Sequence, residues 1–175
     1  VELPPQTGFL NASDEALTTS GDRIYTFFED NGLSQNPKAE AHTFDFNLQH
    51  RRTVAFPNIE YRVTDATETQ EDGTFWVMNY FYPGDDHLAA DDDPLISQYG
   101  IGETHKQFDG VERIVEMKIE EGAIRLVNIA PLYLRLNSDG ESRNWEGIVR
   151  LDEIGFLLIT DSFPRTIFGF VQDLR

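Results

Sequence analysis

Three acidic residues recur at similar places in this sequence: Glu15, Asp65 and Glu146. Each is followed by a small residue, a short strand pattern, a tight turn and a strongly apolar strand pattern. Carboxylates placed at the starts of repeated strand pairs converge when those pairs are arranged about a common axis. Two like charges about 4 Å apart repel by roughly 4 kcal/mol at an effective dielectric near 20. Convergent carboxylates therefore share protons, stay hydrated or bind a cation. Hard oxygen ligands favour Ca2+ or Mg2+, and calcium tolerates the looser geometry. Asn144 and Asn11 are near enough in sequence to add carbonyl oxygens. Glu15, Asp65, Glu146 and Asn144 thus form the expected cation set. The competing expectation is that each acid accepts a backbone N–H from the neighbouring unit and holds no ion.

Other residue types narrow the chemistry further. Glu146 is the expected catalytic carboxylate, and His105, in Gly102-Glu103-Thr104-His105-Lys106, is the histidine placed to serve as a general base. A loop histidine of this kind is otherwise simply solvent-exposed. Arg143 is suited to clamping a phosphate bidentately, with pairing to surplus acids as its alternative. Trp145, directly before Glu146, either walls the mouth of a channel or plugs the gap between units. A second acidic group, Asp85-Asp86-His87 with Asp91-Asp92-Asp93, lacks the regular ligand spacing and central glycine of an EF-hand loop. No Gly-x-Ser-x-Gly elbow is present, which argues against acyl-enzyme chemistry of that kind.

The elements that must position these residues form an internal repeat. Unit one runs from Glu15-Ala16-Leu17 through a turn at Ser20-Gly21-Asp22 to Ile24-Tyr25-Thr26-Phe27-Phe28. Unit two runs from Asp65-Ala66-Thr67 through Glu71-Asp72-Gly73 to Phe75-Trp76-Val77-Met78. Unit three runs from Glu146-Gly147-Ile148 through Asp152-Glu153-Ile154-Gly155 to Phe156-Leu157-Leu158-Ile159. Glycine and aspartate at the turns supply the positive φ that short hairpins need. Aromatic and β-branched runs favour strands over helices.

Alternating third strands follow at 41–46, 114–119 and 166–171. Fourth strands at 53–56 and 124–127 both lead to a proline, as suits a sheet edge. The expected class is all-β, built from four-stranded antiparallel blades spanning about 11–58, 62–136 and 144–175. Val1-Glu2-Leu3-Pro4 reads as the outer strand of a preceding blade within 1–10, and 82–110 as an insertion loop.

Such blades build β-propellers, which hold four to eight of them around a channel. Three make about half of a six-bladed ring. The expected partner is the remaining half of the propeller or a second copy in a homodimer, because bare sheet edges and faces are an aggregation hazard.

Composition excludes several partners. The 175 residues carry 14 Lys+Arg against 31 Asp+Glu, a formal net charge of −17, so a phosphate backbone or an anionic membrane surface is repelled. Hydrophobic residues at 39% are enough for a core. No apolar run is long enough to span a bilayer. With no cysteine there is no disulfide, thiol catalysis or Cys-ligated zinc.

The segment Arg143-Asn144-Trp145-Glu146-Gly147-Ile148-Val149-Arg150-Leu151, followed by Gly155-Phe156-Leu157-Leu158-Ile159-Thr160-Asp161, resembles the blade signature of bacterial esterase-like phytase proteins. More distantly it is similar to six-bladed lactonases of the regucalcin/gluconolactonase type. Glu15-Ala16-Leu17 with Gly21-Asp22-Arg23-Ile24-Tyr25 fits the same mould. The resemblance covers the three blade cores, as the C-terminal half of such a ring. It implies a divalent cation near the channel and small-molecule ester, lactone or phosphoester substrates. The expected function is accordingly a calcium-dependent hydrolase. The alternative is a non-catalytic propeller scaffold, secreted or periplasmic, that binds partners through its 82–110 loop.

Overall fold

The computed structural model describes residues 1–9, 11–140, 142–162 and 165–173. Leu10, at the end of the expected opening strand segment, lies outside them. So do Glu141 and, within the expected third unit, Phe163, Pro164, Leu174 and Arg175.

The apolar runs fold into three antiparallel sheets, and the architecture is all-β. The first is a four-stranded meander of β1 (Asp14–Ser20), β2 (Arg23–Phe28), β3 (Glu40–Asp45) and β4 (Arg52–Ala55). The second has five strands: β5 (Arg62–Ala66), β6 (Thr74–Phe81), β7 (Val111–Glu120), β8 (Ala123–Leu126) and β9 (Leu132–Tyr133). The third holds β10 (Trp145–Leu151), β11 (Gly155–Thr160) and β12 (Phe168–Gln172). The first sheet has four strands, the second adds a fifth, and the third has three among the described residues. In the second sheet the outer edge is divided: β8 and β9 pair with different stretches of β7, and Pro131, which has no N–H to donate, falls between them.

Turn chemistry sets the hairpins. Gly21 at φ 59° and Gly73 at φ 89° take the left-handed conformations that close β1–β2 and β5–β6. A Cβ on Gly73 would also stand 2.3 Å from the Ile119 carbonyl, so only glycine fits there.

Layer order follows from which face of each strand is apolar. All eight residues of β6 are buried, because the second sheet lies between the other two. Phe75 and Val77 pack with Phe27, Ala41 and Phe56 of the first unit, and Phe27 and Phe75 stack with centroids 5.4 Å apart. Trp76, Met78 and Tyr80, on the opposite face, pack with Ile148, Phe156 and Leu158 of the third sheet.

The first strands are tied in series. Thr18 donates to the Thr67 carbonyl at 2.8 Å, Thr64 to the Trp145 carbonyl at 2.6 Å, and the Ile148 N–H to Asp65 at 2.8 Å. Chain starts are thereby lined up at one end of the stack.

The insertion is folded rather than loose. Its helix α1 (Pro94–Tyr99) is capped by Asp93, which accepts from Leu95 N at 2.9 Å and pairs with buried Arg113 at 2.7 Å. Residues 1–9 form no strand within this chain. Val1 and Leu3 border an apolar groove on the outer face of the first sheet, while the Gln6 side chain bonds both the N–H and the carbonyl of Glu40.

Candidate functional site

Each first strand carries a β-bulge at the same point. The register skips between Asp14 and Ala16, between Val63 and Asp65, and between Trp145 and Gly147. The residues in the bulges are therefore Glu15, Thr64 and Glu146. A bulge inserts one residue and re-aims its side chain, which throws Glu15 and Glu146 toward the end of the stack where the chain starts meet. Asp65 is one place beyond its bulge. Its carboxylate accepts the Ile148 N–H, the alternative given above for all three acids. The middle sheet thus contributes a threonine at the position where its neighbours contribute carboxylates.

Glu15 and Glu146 share a cavity of about 360 Å³ with Asn11, Glu29, Arg62, Tyr80, Tyr82, Asp85, Ser142 and Asn144. Long-range backbone bonds bring the rest of this wall together. Glu29 N donates to the Ser13 carbonyl at 2.8 Å, and Val63 N to the Glu29 carbonyl at 2.9 Å. A bridge between Asp30 and Arg62 joins the end of the first hairpin to the start of β5. Arg62 then stands among the acids, paired with Glu29 through Nη1 and with Asp85 through Nε at 3.0 Å. The Tyr80 hydroxyl donates to the Asn144 side-chain oxygen.

Four carboxylates therefore face one guanidinium. Glu29 is buried, and its Oε2 has no hydrogen-bond partner. Burial, then Glu15 and Asp161, push the Glu146 carboxyl up to about 7, against the pull of Arg62 and Asn144. Burial, with Asp30 adding to it, raises Glu15 as well, and Arg62 opposes the rise. A carboxyl near 7 exchanges a proton readily at neutral pH, which is what a general acid or base requires.

The remaining expected site residues are used elsewhere. His105 is buried in a separate cavity with Thr104, Tyr133 and Arg135. Its Nε2 accepts the Glu112 N–H at 3.2 Å, and burial lowers it to about 4. It is a neutral core histidine in a cavity separate from that of Glu146. Arg143 binds Glu112 through its backbone N–H at 2.6 Å and through Nε and Nη2 at 3.0 and 2.6 Å. Trp145 is buried under that guanidinium and donates its indole N–H to the same carboxylate at 2.8 Å. Both hold the third sheet to the second, so Trp145 is the plug of the two roles open to it. Of the acidic loop, Asp85 reaches the cavity, Asp93 caps α1, and Asp92 accepts from Ser97 at 2.7 Å.

Sequence reasoning passed over Glu29, Arg62 and Tyr80. One signal was available: Glu29-Asp30 breaks a strongly apolar run at the end of β2, and Arg62 is one of few cations near a repeat start.

The oxygens of Glu15, Glu29, Glu146 and Asn144 suit a hard cation, and the surplus of acid over Arg62 favours one. Among the described residues no three acids or histidines stand together as a ready ligand group, so this is not a closed cage of the kind that holds calcium with protein oxygens alone. No protein-family model and no curated protein matches the chain. No described helix is long and apolar enough to cross a membrane.

Proposed function

We propose that the three sheets are adjacent blades of a β-propeller of the esterase-like phytase kind, and that the Glu15–Glu146 cavity is a hydrolytic site for a neutral ester or lactone. The observation that carries this is the meeting of two bulge glutamates from the first and third sheets in one cavity, with Glu146 poised near neutrality. Protonated Glu146 donates to a leaving oxygen, and ionised Glu146 accepts a proton from attacking water. Arg62 pairs with Glu29 and Asp85 and opposes the rise of Glu15. The Tyr80–Asn144 bond fixes the amide beside Glu146. The acid surplus repels phosphates, so uncharged substrates are preferred over phytate-like ones.

A calcium ion, when bound, supplies Lewis-acid polarisation of the carbonyl. Glu15 and Asn144 are the residues that would hold it, which leaves Glu146 free as acid and base. The test is hydrolysis of a p-nitrophenyl ester and a γ-lactone, with calcium and with EDTA, by wild type and Glu146→Gln. The expected result is turnover that falls on the order of a hundredfold in the variant. Equal turnover by the two proteins refutes the assignment of Glu146.

A further inference from the structure

The stack leaves two apolar faces open, one on each outer sheet. On the first sheet Leu17, Thr19, Ile24, Thr26, Phe44 and Phe46 line a groove, with Leu17 57% and Phe46 60% exposed. On the third sheet Val149, Ile159, Phe168 and Phe170 are exposed, Phe168 at 70% and Phe170 at 51%. None of these ten residues is charged, in a chain that is 26% charged. Depletion of charge at the centre of a patch marks an interface, and contiguous apolar patches of this kind are rare on a monomer.

What covers them can be read from the two sheet-on-sheet contacts already made inside the molecule. Aligned on the bulges, Tyr25, Trp76 and Leu157 are equivalent, and so are Ile24, Phe75 and Phe156. Phe75 packs back on the first sheet and Phe156 on the second. Ile24 is the same position with no sheet behind it. Conversely, Phe27 of the first sheet and Met78 of the second point into those two contacts, and their equivalent Ile159 is 43% exposed. The outer face of the third sheet is thus the front half of the repeated contact, and the outer face of the first sheet is the back half.

We infer that these faces bind each other between two copies of this chain, the third sheet of one against the first sheet of its partner, head to tail. Each copy offers one face of each kind, so two copies satisfy all four and give six sheets, within the four to eight that a closed ring holds. The inference rests on the propeller assignment made above, and the outcomes below separate the two.

The experiment is native mass spectrometry and light scattering on the wild-type chain, on Phe168→Asp/Phe170→Asp and on Leu17→Asp/Phe46→Asp. All four substituted side chains are exposed, so circular dichroism should report an unchanged fold. Wild type is expected at twice the 20.0 kDa of one chain. Either double variant weakens association by a factor on the order of ten or more. An equimolar mixture of the two variants restores a dimer, because one intact pair of faces remains. A wild-type monomer overturns the inference and leaves the Glu146 assay standing on its own. Failure of the mixture to associate also overturns it, and so does a dimer formed by either double variant alone, because faces that pair with their own kind behave in that second way. Open polymers longer than a dimer support the face-to-face contact and refute ring closure, and with it the propeller assignment.

Discussion

Glu112 and Glu146 are both glutamates beside the junction of the second and third sheets, and their surroundings differ sharply. Glu112 is wholly buried and accepts from the Arg143 backbone and guanidinium and from the Trp145 indole. Both of its carboxylate oxygens accept from donors of the same chain. Glu146 directly follows Trp145, the last residue of that network, and faces Glu15, Asp161 and an acid-rich cavity. Burial and these acids raise its carboxyl. Polar groups saturated by their own chain hold the fold, whereas a cluster short of cations keeps capacity for something from outside.

The contrast is most sharply tested at Glu112. Glu112→Ala strands the Arg143 guanidinium and the Trp145 N–H and should cost about 3–5 kcal/mol, a fall in Tm of about 10 °C or more. A shift of under about 2 °C in thermal unfolding would erase the distinction. Arg62→Met is expected to come next, at about 2–3 kcal/mol, because Glu29 loses its buried counter-ion. Without Arg62 the Glu15 and Glu146 carboxyls rise further and resist ionisation. The loss should therefore be larger at pH 8 than at pH 5, as denaturant titrations at the two pH values will show.

Glu146→Gln should act in the opposite direction. A folded-state value raised to about 7 means that the native protein holds this proton more tightly than the unfolded chain does. The stability this adds is present below the unfolded glutamate range and is lost as pH rises through about 7. The variant removes that penalty. Discounted for solvent access, a gain of about 2 °C in Tm at pH 8 and none near pH 4 is expected. A variant less stable than wild type at pH 8 would place Glu146 with Glu112, among the structural groups.

The smallest effect belongs to His105. Its lowered value means that protonation is resisted in the folded state, so its contribution is present above the usual histidine range and lost as pH falls toward about 4. Ring carbon shifts followed by NMR should stay those of a neutral imidazole down to about that pH. Titration near 6.5 would show that His105 is open to solvent and revive it as a base.

Much of the architecture was legible in the sequence. Alternating apolar residues and Gly-Asp turns located the strand pairs, and the acid that opens each repeat drew attention to Glu15 and Glu146. By sequence pattern Asp65 groups with Glu15 and Glu146 as the acid that opens its repeat. The bulges shift the alignment by one, so that Thr64 is the true counterpart. A bulge has no composition of its own, and register appears only when both strands are paired.

The sequence by itself determined the strands, their turns, the acidic balance and the two bulge glutamates, because these follow from local periodicity, backbone preference and charge. Only the tertiary structure decided which acids share a cavity. It brought Glu29 and Arg62 to Glu146 through long-range bridges, buried His105, and gave Arg143 and Trp145 to Glu112. Those outcomes depend on which side chains are desolvated together, a property of the packed chain that residue spacing along the sequence does not carry.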